Sequence, residues 1–499
     1  MNLKDLFYKS TRSSDERVKS CEAIVKGLAG DGGLFVPIEI PKIEKSLDEL
    51  MTMNYKDLAF YIMKKYFTDF DECELKECIE KAYDEKFETQ LIAPVVEKAG
   101  VFFLELYHGP TLAFKDMALS ILPYLLIKAS KKLNVDKEIV ILTATSGDTG
   151  KAALEGFADV EGVKIIVFYP QDGVSEVQRM QMITQRGLNT FVVGIKGNFD
   201  DAQRGVKETF ADRKFNKKIN DMGYMFSSAN SINIGRLVPQ IVYYFYGYLN
   251  LLKEKKIKDR EKINIVVPTG NFGNILAAYY AKKMGLPVNK LICASNENNV
   301  LYDFINTGIY DRRREFKKTI SPSMDILVSS NLERFLYDIS DCDEKAISDM
   351  MNKLNKYGIY EIPDEMKEKL DVIYGGYATK YETYNAIEEV YNRSDYLIDT
   401  HTAVAYFVYK KYKEETNDNT KTIIASTASP FKFTRDVLKA VDNKYEKFSD
   451  FELIEKMAEL LGTNVPKGIK DLNKREILHK YTCKGNEIKE TILKLLEGK

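Results

Sequence analysis

Short runs rich in valine and isoleucine recur along the 499-residue chain, and each is followed by a turn with glycine or serine and a helix-period segment. These runs lie at residues 138–144, 163–169, 262–267 and 422–425. Continuous apolar runs that alternate with helices are typical of parallel strands covered on both faces. The pattern therefore predicts an α/β protein with buried, mainly parallel sheets.

The segments around these strands differ in character. A glycine-rich turn (GDGGLFVP) and helix-like stretches precede the first strand, a charge-rich stretch occupies about residues 310–395, and the last residues form lysine-rich amphipathic patterns. Residues 241–252 are apolar but fall short of the roughly 20 residues that span a bilayer, so we expect a buried helix there. We predict an N-terminal subdomain, two α/β regions and a helical tail, at residues 1–95, 96–260, 261–440 and 441–499.

Composition excludes several classes of function. Lys plus Arg number 73 and Asp plus Glu number 74, so the net charge of −1 favours neither nucleic acid nor an anionic membrane as partner. Six scattered cysteines and three histidines give neither a disulfide framework nor zinc-ligand spacing. The first ten residues lack the features of a secretory or transit signal. We expect a cytoplasmic protein, a monomer or homodimer, with a small-molecule substrate and no metal.

Lys115 is the first candidate for chemistry. It follows a Gly-Pro turn in HGPTLAFKDMAL, where a helical pattern begins, and its neighbours Ala113, Phe114 and Met117 are apolar. Partial desolvation lowers the pKa of a lysine and makes its neutral, nucleophilic amine accessible near neutral pH. Most lysines are simply solvated, so this segment alone leaves a surface role open.

Two further segments follow predicted strands and open helices, as anion-binding turns do. TATSGDTGKAA follows the strand at 138–144, and PTGNFGN follows the strand at 262–267. Both supply unobstructed backbone N–H groups at a helix N-terminus, where the helix dipole favours an anion. The first lacks the glycine spacing and the Lys-Ser/Thr pair of a P-loop, and the second lacks the spacing of a dinucleotide-binding turn. A lysine nucleophile with two anion sites predicts a phosphorylated cofactor and a phosphorylated substrate.

Together these residues resemble the threonine synthases of the longer microbial type, within the fold type II pyridoxal-phosphate enzymes. The resemblance rests on ordered blocks from residue 27 to residue 433: GLAGDGGLFVP, HGPTLAFKD, ATSGDTG, NSINIGR, PTGNFGN, SPSMDILVSSNLER and STASPFKF. It implies a tryptophan synthase β-like fold, with two mainly parallel-sheet domains, an N-terminal subdomain and helical insertions. It also implies pyridoxal 5'-phosphate as cofactor.

The resemblance assigns roles residue by residue. Lys115 matches the catalytic lysine that carries the cofactor as a Schiff base and moves protons. Residues at the other cofactor positions are Gly270, Asn271, Phe272, Gly273 and Asn274 at its phosphate, Thr427 at its pyridine nitrogen and Asp148 near its O3′. Residues at the substrate positions are Ser146, Thr149, Asn233 and Arg236. Ser429 stands where some long members have histidine, so no catalytic role is expected there.

The implied reaction converts O-phospho-L-homoserine and water into L-threonine and phosphate by γ-elimination and β-hydration, the last step of threonine biosynthesis. Another fold type II lyase, such as a threonine or serine dehydratase, would share Lys115 and one glycine-rich turn. It would not need the N-terminal subdomain, the block at 321–334 or a second phosphate site. A non-catalytic paralogue that binds the cofactor would be expected to lose the lysine or one turn, and both are intact.

Overall fold

A computed structural model describes residues 5–145, 147–171 and 174–498. The strands within them are β1 (Tyr8–Ser10), β2 (Phe35–Pro37), β3 (Val95–Lys98), β4 (Val101–Glu105), β5 (Glu138–Ala144), β6 (Val163–Pro170), β7 (Thr190–Ile195), β8 (Tyr224–Ser227), β9 (Ile263–Pro268), β10 (Val288–Ser295), β11 (Ile309–Asp311), β12 (Ile359–Glu361), β13 (Ile373–Tyr377), β14 (Thr422–Ser426) and β15 (Tyr481–Cys483). All four predicted strands are present, as β5, β6, β9 and β14, with ends within one residue of prediction.

Helices make up most of the remaining chain. Those in the described ranges are α1 (Ser20–Lys26), α2 (Leu47–Met51), α3 (Tyr55–Tyr66), α4 (Glu72–Ala82), α5 (Asp116–Leu119), α6 (Leu122–Lys132), α7 (Asp148–Phe157), α8 (Glu176–Ile183), α9 (Phe199–Ala211), α10 (Arg213–Asp221), α11 (Ile234–Lys253), α12 (Gly273–Met284), α13 (Val300–Thr307), α14 (Leu332–Ile339), α15 (Glu344–Tyr357), α16 (Asp364–Lys369), α17 (Lys380–Ser394), α18 (Thr400–Thr416), α19 (Thr434–Val441), α20 (Asp450–Leu461) and α21 (Ile488–Leu496). Across these ranges, each helix is too short or too polar to cross a membrane.

Two larger sheets carry the fold. One has the strand order β13-β10-β9-β14-β4-β3 and is parallel except for its edge strand β3, which runs antiparallel to β4. The other has the order β15-β7-β6-β5-β8, with every pair parallel. Strands β9 and β14 are buried along their whole length, as runs of valine and isoleucine predict. Helix α11, over the apolar stretch predicted to be a buried helix, is buried along most of its length.

The chain crosses between the two sheets at both ends, which the sequence did not reveal. Strand β4 precedes the five-stranded sheet in the chain, yet it pairs with β14 in the six-stranded sheet. Strand β15, in the tail predicted to be helical, pairs with β7 and extends the five-stranded sheet. The predicted boundaries near residues 96 and 441 therefore do not follow the sheets. The division into four segments stays a prediction.

Candidate active site

The chemistry-bearing segments meet where parallel strands end. Strands β9, β14 and β4 are neighbours, so the turns that follow them begin side by side at one edge of the six-stranded sheet. These turns are the segment beginning at Gly270, the segment beginning at Thr427 and the loop that leads to Lys115. The turn after β5 brings Asp148 to the same place from the other sheet.

Backbone pairing fixes the loop before Lys115. The Phe114 N–H donates to the Thr427 carbonyl at 2.8 Å, and the Ser429 N–H donates to the Leu112 carbonyl at 3.0 Å. Leu112 has a φ of 61°, a left-handed conformation that is uncommon for leucine and turns the chain into α5. Thr427 and Lys115 are thereby held on adjoining segments. Ser429 has a structural role here, since its hydroxyl also accepts the Phe431 N–H at 3.3 Å.

The Lys115 amine is largely withdrawn from solvent, with 12% of its side-chain surface exposed. It donates to the Ser323 hydroxyl at 3.0 Å and lies 3.7 Å from the Asp148 carboxylate. Desolvation lowers the pKa of Lys115 to about 8, assisted by the charges of Lys432 and Arg236 and opposed by that of Asp148. A neutral amine is therefore accessible close to physiological pH, as the apolar neighbours predict.

Asp148 opens α7 and is the centre of a buried hydrogen-bond network. One carboxylate oxygen accepts the Ser323 hydroxyl at 3.1 Å. The other forms an ion pair with Lys432 at 2.9 Å and accepts from Gln178 at 3.2 Å. Burial alone would raise the pKa of Asp148, but the charges of Lys432 and Lys115 hold it well below its ordinary value. Asp148 is consequently a permanent carboxylate beside Lys115.

The backbone of the turn before α7 passes so close to a neighbouring side chain that one glycine position has no room for a Cβ. The Thr145 hydroxyl accepts the N–H groups of Gly147 and Gly150, each at 3.0 Å. Gly147 has a φ of 151°, and a Cβ there would lie 2.5 Å from the Gln178 amide. Thr149 follows Asp148 in the first turn with a partly buried side chain. Ser146, a predicted substrate contact, lies outside the described residues.

The turn after β9 holds a free hydrogen-bond donor. The Asn274 side-chain oxygen accepts hydroxyls from Tyr243 and Tyr244, which fixes the orientation of the carboxamide. Its amide nitrogen is buried and has no hydrogen-bond partner among the described residues. A Cβ on Gly270 would come within 2.5 Å of the Ser323 carbonyl, so only glycine fits there. Buried donors are seldom left unpaired, and this one indicates an acceptor supplied by a ligand.

The remaining residues of that turn set its backbone. Phe272 has a left-handed φ of 63° immediately before α12 begins at Gly273. The Asn271 carbonyl accepts the Asn331 N–H at 3.0 Å and the Asn331 side chain at 3.1 Å. The block at 321–334 therefore supports the turn from outside through Asn331.

Arg236 is a buried cation in the first turn of α11. Its side chain donates to the Ala229 carbonyl at 2.9 Å, while its Nε has no partner among the described residues. Burial lowers its pKa to about 10, and no charge from a described residue offsets that loss of hydration. A buried guanidinium without an anion is costly, and the contact between Arg236 and a substrate phosphate stays a prediction.

Asn233, predicted to contact substrate, is engaged within the protein. Its side-chain oxygen caps α11 by accepting the Gly235 N–H at 2.9 Å, and its amide donates to the Ile24 carbonyl at 2.9 Å. The geometry thus shows a residue that fixes the start of α11, and with it Arg236. A direct contact between Asn233 and substrate stays a prediction.

Three site residues escaped the sequence reasoning. Ser323 and Lys432 lie inside recognised motifs, SPSMDILVSSNLER and STASPFKF, but nothing marked them within those blocks. His401 accepts the Ser323 N–H at 3.2 Å and hydrogen-bonds Asp399 at 2.7 Å, with 3% of its surface exposed. As one of only three histidines it could have been singled out, although no spacing tied it to Lys115.

Comparison with known proteins decides the family. Three family models match in succession: "Threonine synthase N terminus" over residues 7–83, "Pyridoxal-phosphate dependent enzyme" over 88–428 and "Threonine synthase, C-terminal" over 402–481. Threonine synthase of Saccharomyces cerevisiae is 36% identical over 475 residues, which cover 89% of this chain and 90% of that protein. The chain belongs to the threonine synthase family.

Other similarities agree with this membership. The crystal structure of pyridoxal-phosphate-bound threonine synthase from Brucella melitensis superposes with a TM-score of 0.86, at 32% identity, covering 98% of both chains. Human "Threonine synthase-like 1" is 40% identical over 436 residues, covering 85% of this chain. The chain spans 58% of the length of that relative. The predicted fold class and the predicted cofactor, pyridoxal phosphate, are confirmed.

The residues of this chain fit that cofactor. The orphaned Asn274 amide and the side-chain-free Gly270 form a place for a phosphate, and Lys115 supplies a buried amine with a lowered pKa. The Arg236 guanidinium is a second unmatched donor on a different element. Two phosphate groups, one from the cofactor and one from the substrate, would satisfy both. The individual site assignments stay predictions.

Proposed function

We propose that the protein converts O-phospho-L-homoserine and water into L-threonine and inorganic phosphate, as a carbon-oxygen lyase acting on a phosphate ester. The observation that carries the proposal is Arg236, a buried guanidinium with an unpaired Nε whose charge also reaches Lys115. An amino-acid substrate without a phosphate would leave this cation uncompensated. The family membership and the confirmed cofactor support the same reaction.

Pyridoxal phosphate would be held by Lys115 covalently and by the turn at 270–274 through its phosphate. By the family resemblance, Thr427 would meet the pyridine nitrogen and Asp148 would lie near the O3′ oxygen. When bound, the cofactor withdraws electrons from the substrate's α carbon, which acidifies the hydrogens on the α and β carbons. A hydroxyl at the pyridine nitrogen does not enforce a charged ring, so proton placement by the protein matters more.

Lys115 would move those protons. With a pKa of about 8, roughly a quarter of the amines are neutral at pH 7.5, against about one in a thousand for an ordinary lysine. The amine would remove the α hydrogen, take part in loss of the β hydrogen and return a proton after water adds at the β carbon. Ser323 accepts from Lys115 and donates to Asp148, so its hydroxyl holds the amine in place between these transfers.

Arg236 would bind the substrate phosphate and stabilise the charge that grows on it as the bond to the γ carbon breaks. A planar guanidinium suits a phosphate because it offers paired, charge-assisted hydrogen bonds. Since the site is buried, such donors act in a low dielectric, where they are worth more than in water. Thr149, in the first turn of α7, and Ser146 are proposed to contact the same substrate.

The product mixture tests the proposal. The purified protein, loaded with pyridoxal phosphate, is incubated with O-phospho-L-homoserine, and phosphate, threonine, ammonia and 2-oxo acid are measured together. The proposal predicts equal amounts of phosphate and threonine, with unphosphorylated homoserine left unchanged. Ammonia and a 2-oxo acid would instead identify a dehydratase. Cofactor binding with no turnover would identify a non-catalytic paralogue.

A further inference from the structure

Lys432 is a buried lysine to which the proposed reaction assigns no task. It ends the 3₁₀ turn Pro430–Lys432, just beyond Thr427, and 1% of its side-chain surface is exposed. Its amine donates to the Thr111 carbonyl at 2.8 Å and pairs with Asp148 at 2.9 Å. An ammonium at such depth is tolerated only when it is paired and hydrogen-bonded, and Lys432 is both.

Asp148 stands between two lysines and is closer to Lys432. One oxygen lies 2.9 Å from the Lys432 amine, whereas the other lies 3.7 Å from the Lys115 amine. The Ser323 hydroxyl also donates to the oxygen that faces Lys115. The carboxylate therefore makes its shorter ion pair with Lys432 and a longer contact with Lys115.

We propose that Lys432 is a positioning residue: it neutralises Asp148, so that this carboxylate can hold its place beside Lys115 without trapping Lys115 as an ammonium. Without Lys432, the nearest cation to Asp148 is Lys115 itself, and a close pair between them would favour the charged amine. The inference deepens the proposed function, which depends on a neutral Lys115.

Other titratable groups also act on this trio. Arg236 acts on Lys115, His401 acts on Asp148, and Asp116 is affected by Lys432. The charge of Asp148 raises the pKa of Lys115 and is the largest charge effect on it, whereas the charges of Lys432 and Arg236 lower that pKa, as the proposal requires of Lys432.

The test measures the pKa of the Lys115 amine directly. Full-length protein without cofactor is labelled with trace acetic anhydride across a pH series, and acetylation of the peptide that contains Lys115 is quantified by mass spectrometry. This reagent reacts with neutral amines only, so the midpoint of labelling reports the Lys115 pKa. It does so whether or not the protein turns over any substrate, which separates failure of this inference from failure of the proposed function.

Three variants are first compared with the parent protein. In Lys432→Met the midpoint should rise by about one pH unit or more, which is a tenfold or greater loss of neutral amine at neutral pH. In Lys432→Arg it should stay near the parent value. Removing both charges with Asp148→Asn and Lys432→Met should bring it back toward the parent, because neither charge then acts on Lys115.

A second comparison applies if Lys432→Met alone fails to fold. In Asp148→Asn the charge of Lys432 is no longer neutralised by a carboxylate. The pH midpoint of Lys115 acetylation should then lie about one unit below that of the double variant. Equal midpoints in this pair would overturn the proposal. An unchanged midpoint in a folded Lys432→Met protein, or a double variant that behaves like Lys432→Met, would overturn it equally.

Discussion

Replacing Arg236 with methionine should stabilise the protein while removing its response to phosphate. Burial lowers the pKa of Arg236 from its ordinary value to about 10, and no charge from a described residue compensates for it. At about 1.4 kcal/mol per pH unit, that corresponds to roughly 3 kcal/mol of lost hydration. The folded pKa lies below the unfolded one, so this penalty is present in full below about pH 10 and is relieved only as the pH rises from there toward the unfolded pKa.

Methionine would remove the penalty and keep much of the apolar packing of the side chain. The lost hydrogen bond to the Ala229 carbonyl costs about 1 kcal/mol, so the free energy of unfolding should rise by roughly 2 kcal/mol. Binding should change in the opposite direction. The parent should gain about 2.7 kcal/mol at a phosphate concentration of 100 times the dissociation constant, and the variant should gain almost nothing.

Arg334 provides a matched control. It is fully buried, and its pKa is also lowered to about 10 by burial. Its guanidinium, however, donates to the Phe35 carbonyl at 3.0 Å, to the Asn331 side chain and to the Ile232 carbonyl. By the same accounting, Arg334→Met removes a similar penalty of roughly 3 kcal/mol but leaves three acceptors unpaired at about 1 kcal/mol or more each, so it should bring no net gain in the free energy of unfolding.

Both variants are assayed by urea unfolding with saturating pyridoxal phosphate, with and without added inorganic phosphate. Saturation with the cofactor keeps the turn at 270–274 occupied, so that added phosphate reports on Arg236. The reasoning is refuted if Arg236→Met is no more stable than Arg334→Met and phosphate still stabilises it.

Three further outcomes follow from the geometry. Gly270→Ala should weaken cofactor binding at least about tenfold in a fluorescence titration, because the new Cβ would meet the Ser323 carbonyl at 2.5 Å; unaltered affinity would contradict the close fit. The rate at which cofactor-free protein captures the cofactor should fall as the pH falls through about 8, since Lys115 then becomes charged. A capture rate, measured by stopped-flow absorbance, that is the same from pH 9 to pH 6 would contradict this role of Lys115. Burial raises the pKa of Asp116 from 3.8 to about 6, so its contribution to stability is complete below pH 3.8 and is lost as the pH rises through 6. In urea unfolding, the parent's free energy of unfolding should therefore fall by roughly 3 kcal/mol more than that of Asp116→Asn as the pH rises from below 3.8 to above 6. The same pH profile in both proteins would contradict the raised pKa of Asp116.

The sequence predicts the parts of this molecule that depend on local patterning. The strands at 138–144 and 422–425 are identifiable because a buried parallel strand needs a continuous apolar run, whatever its partner. The turns at 145–150 and 270–274 are identifiable because their glycines and hydroxyl residues follow a strand and open a helix. Lys115 is recognisable from its apolar neighbours and its motif.

Long-range pairing is what the sequence could not supply. Ser323 reaches Lys115 across 208 positions of the chain, and Lys432 reaches the Thr111 carbonyl across 321. No periodicity encodes such contacts, because they depend on how the sheets and their loops are assembled. For the same reason, β4 and β15 join sheets that their positions in the chain do not indicate.

Asn233 shows a different limit of sequence reasoning. A motif identifies the residue type that a family keeps, but it does not separate a residue that contacts the ligand from one that holds such a residue in place. Here the side chain caps α11 and anchors its start to the Ile24 carbonyl. Only the hydrogen-bond partners show that the Arg236 Nε is unpaired among the described residues while the Asn233 side chain is occupied.

The most direct test of the account is to identify the lysine that carries the cofactor. Protein loaded with pyridoxal phosphate is reduced with borohydride, digested, and mapped by mass spectrometry, with Lys115→Ala treated in parallel. We predict a single pyridoxyl-bearing peptide that contains Lys115, and loss of both that peptide and the cofactor absorbance in the variant. Stoichiometric label on another lysine, such as Lys432 or Lys151, or undiminished absorbance in Lys115→Ala, would contradict the account.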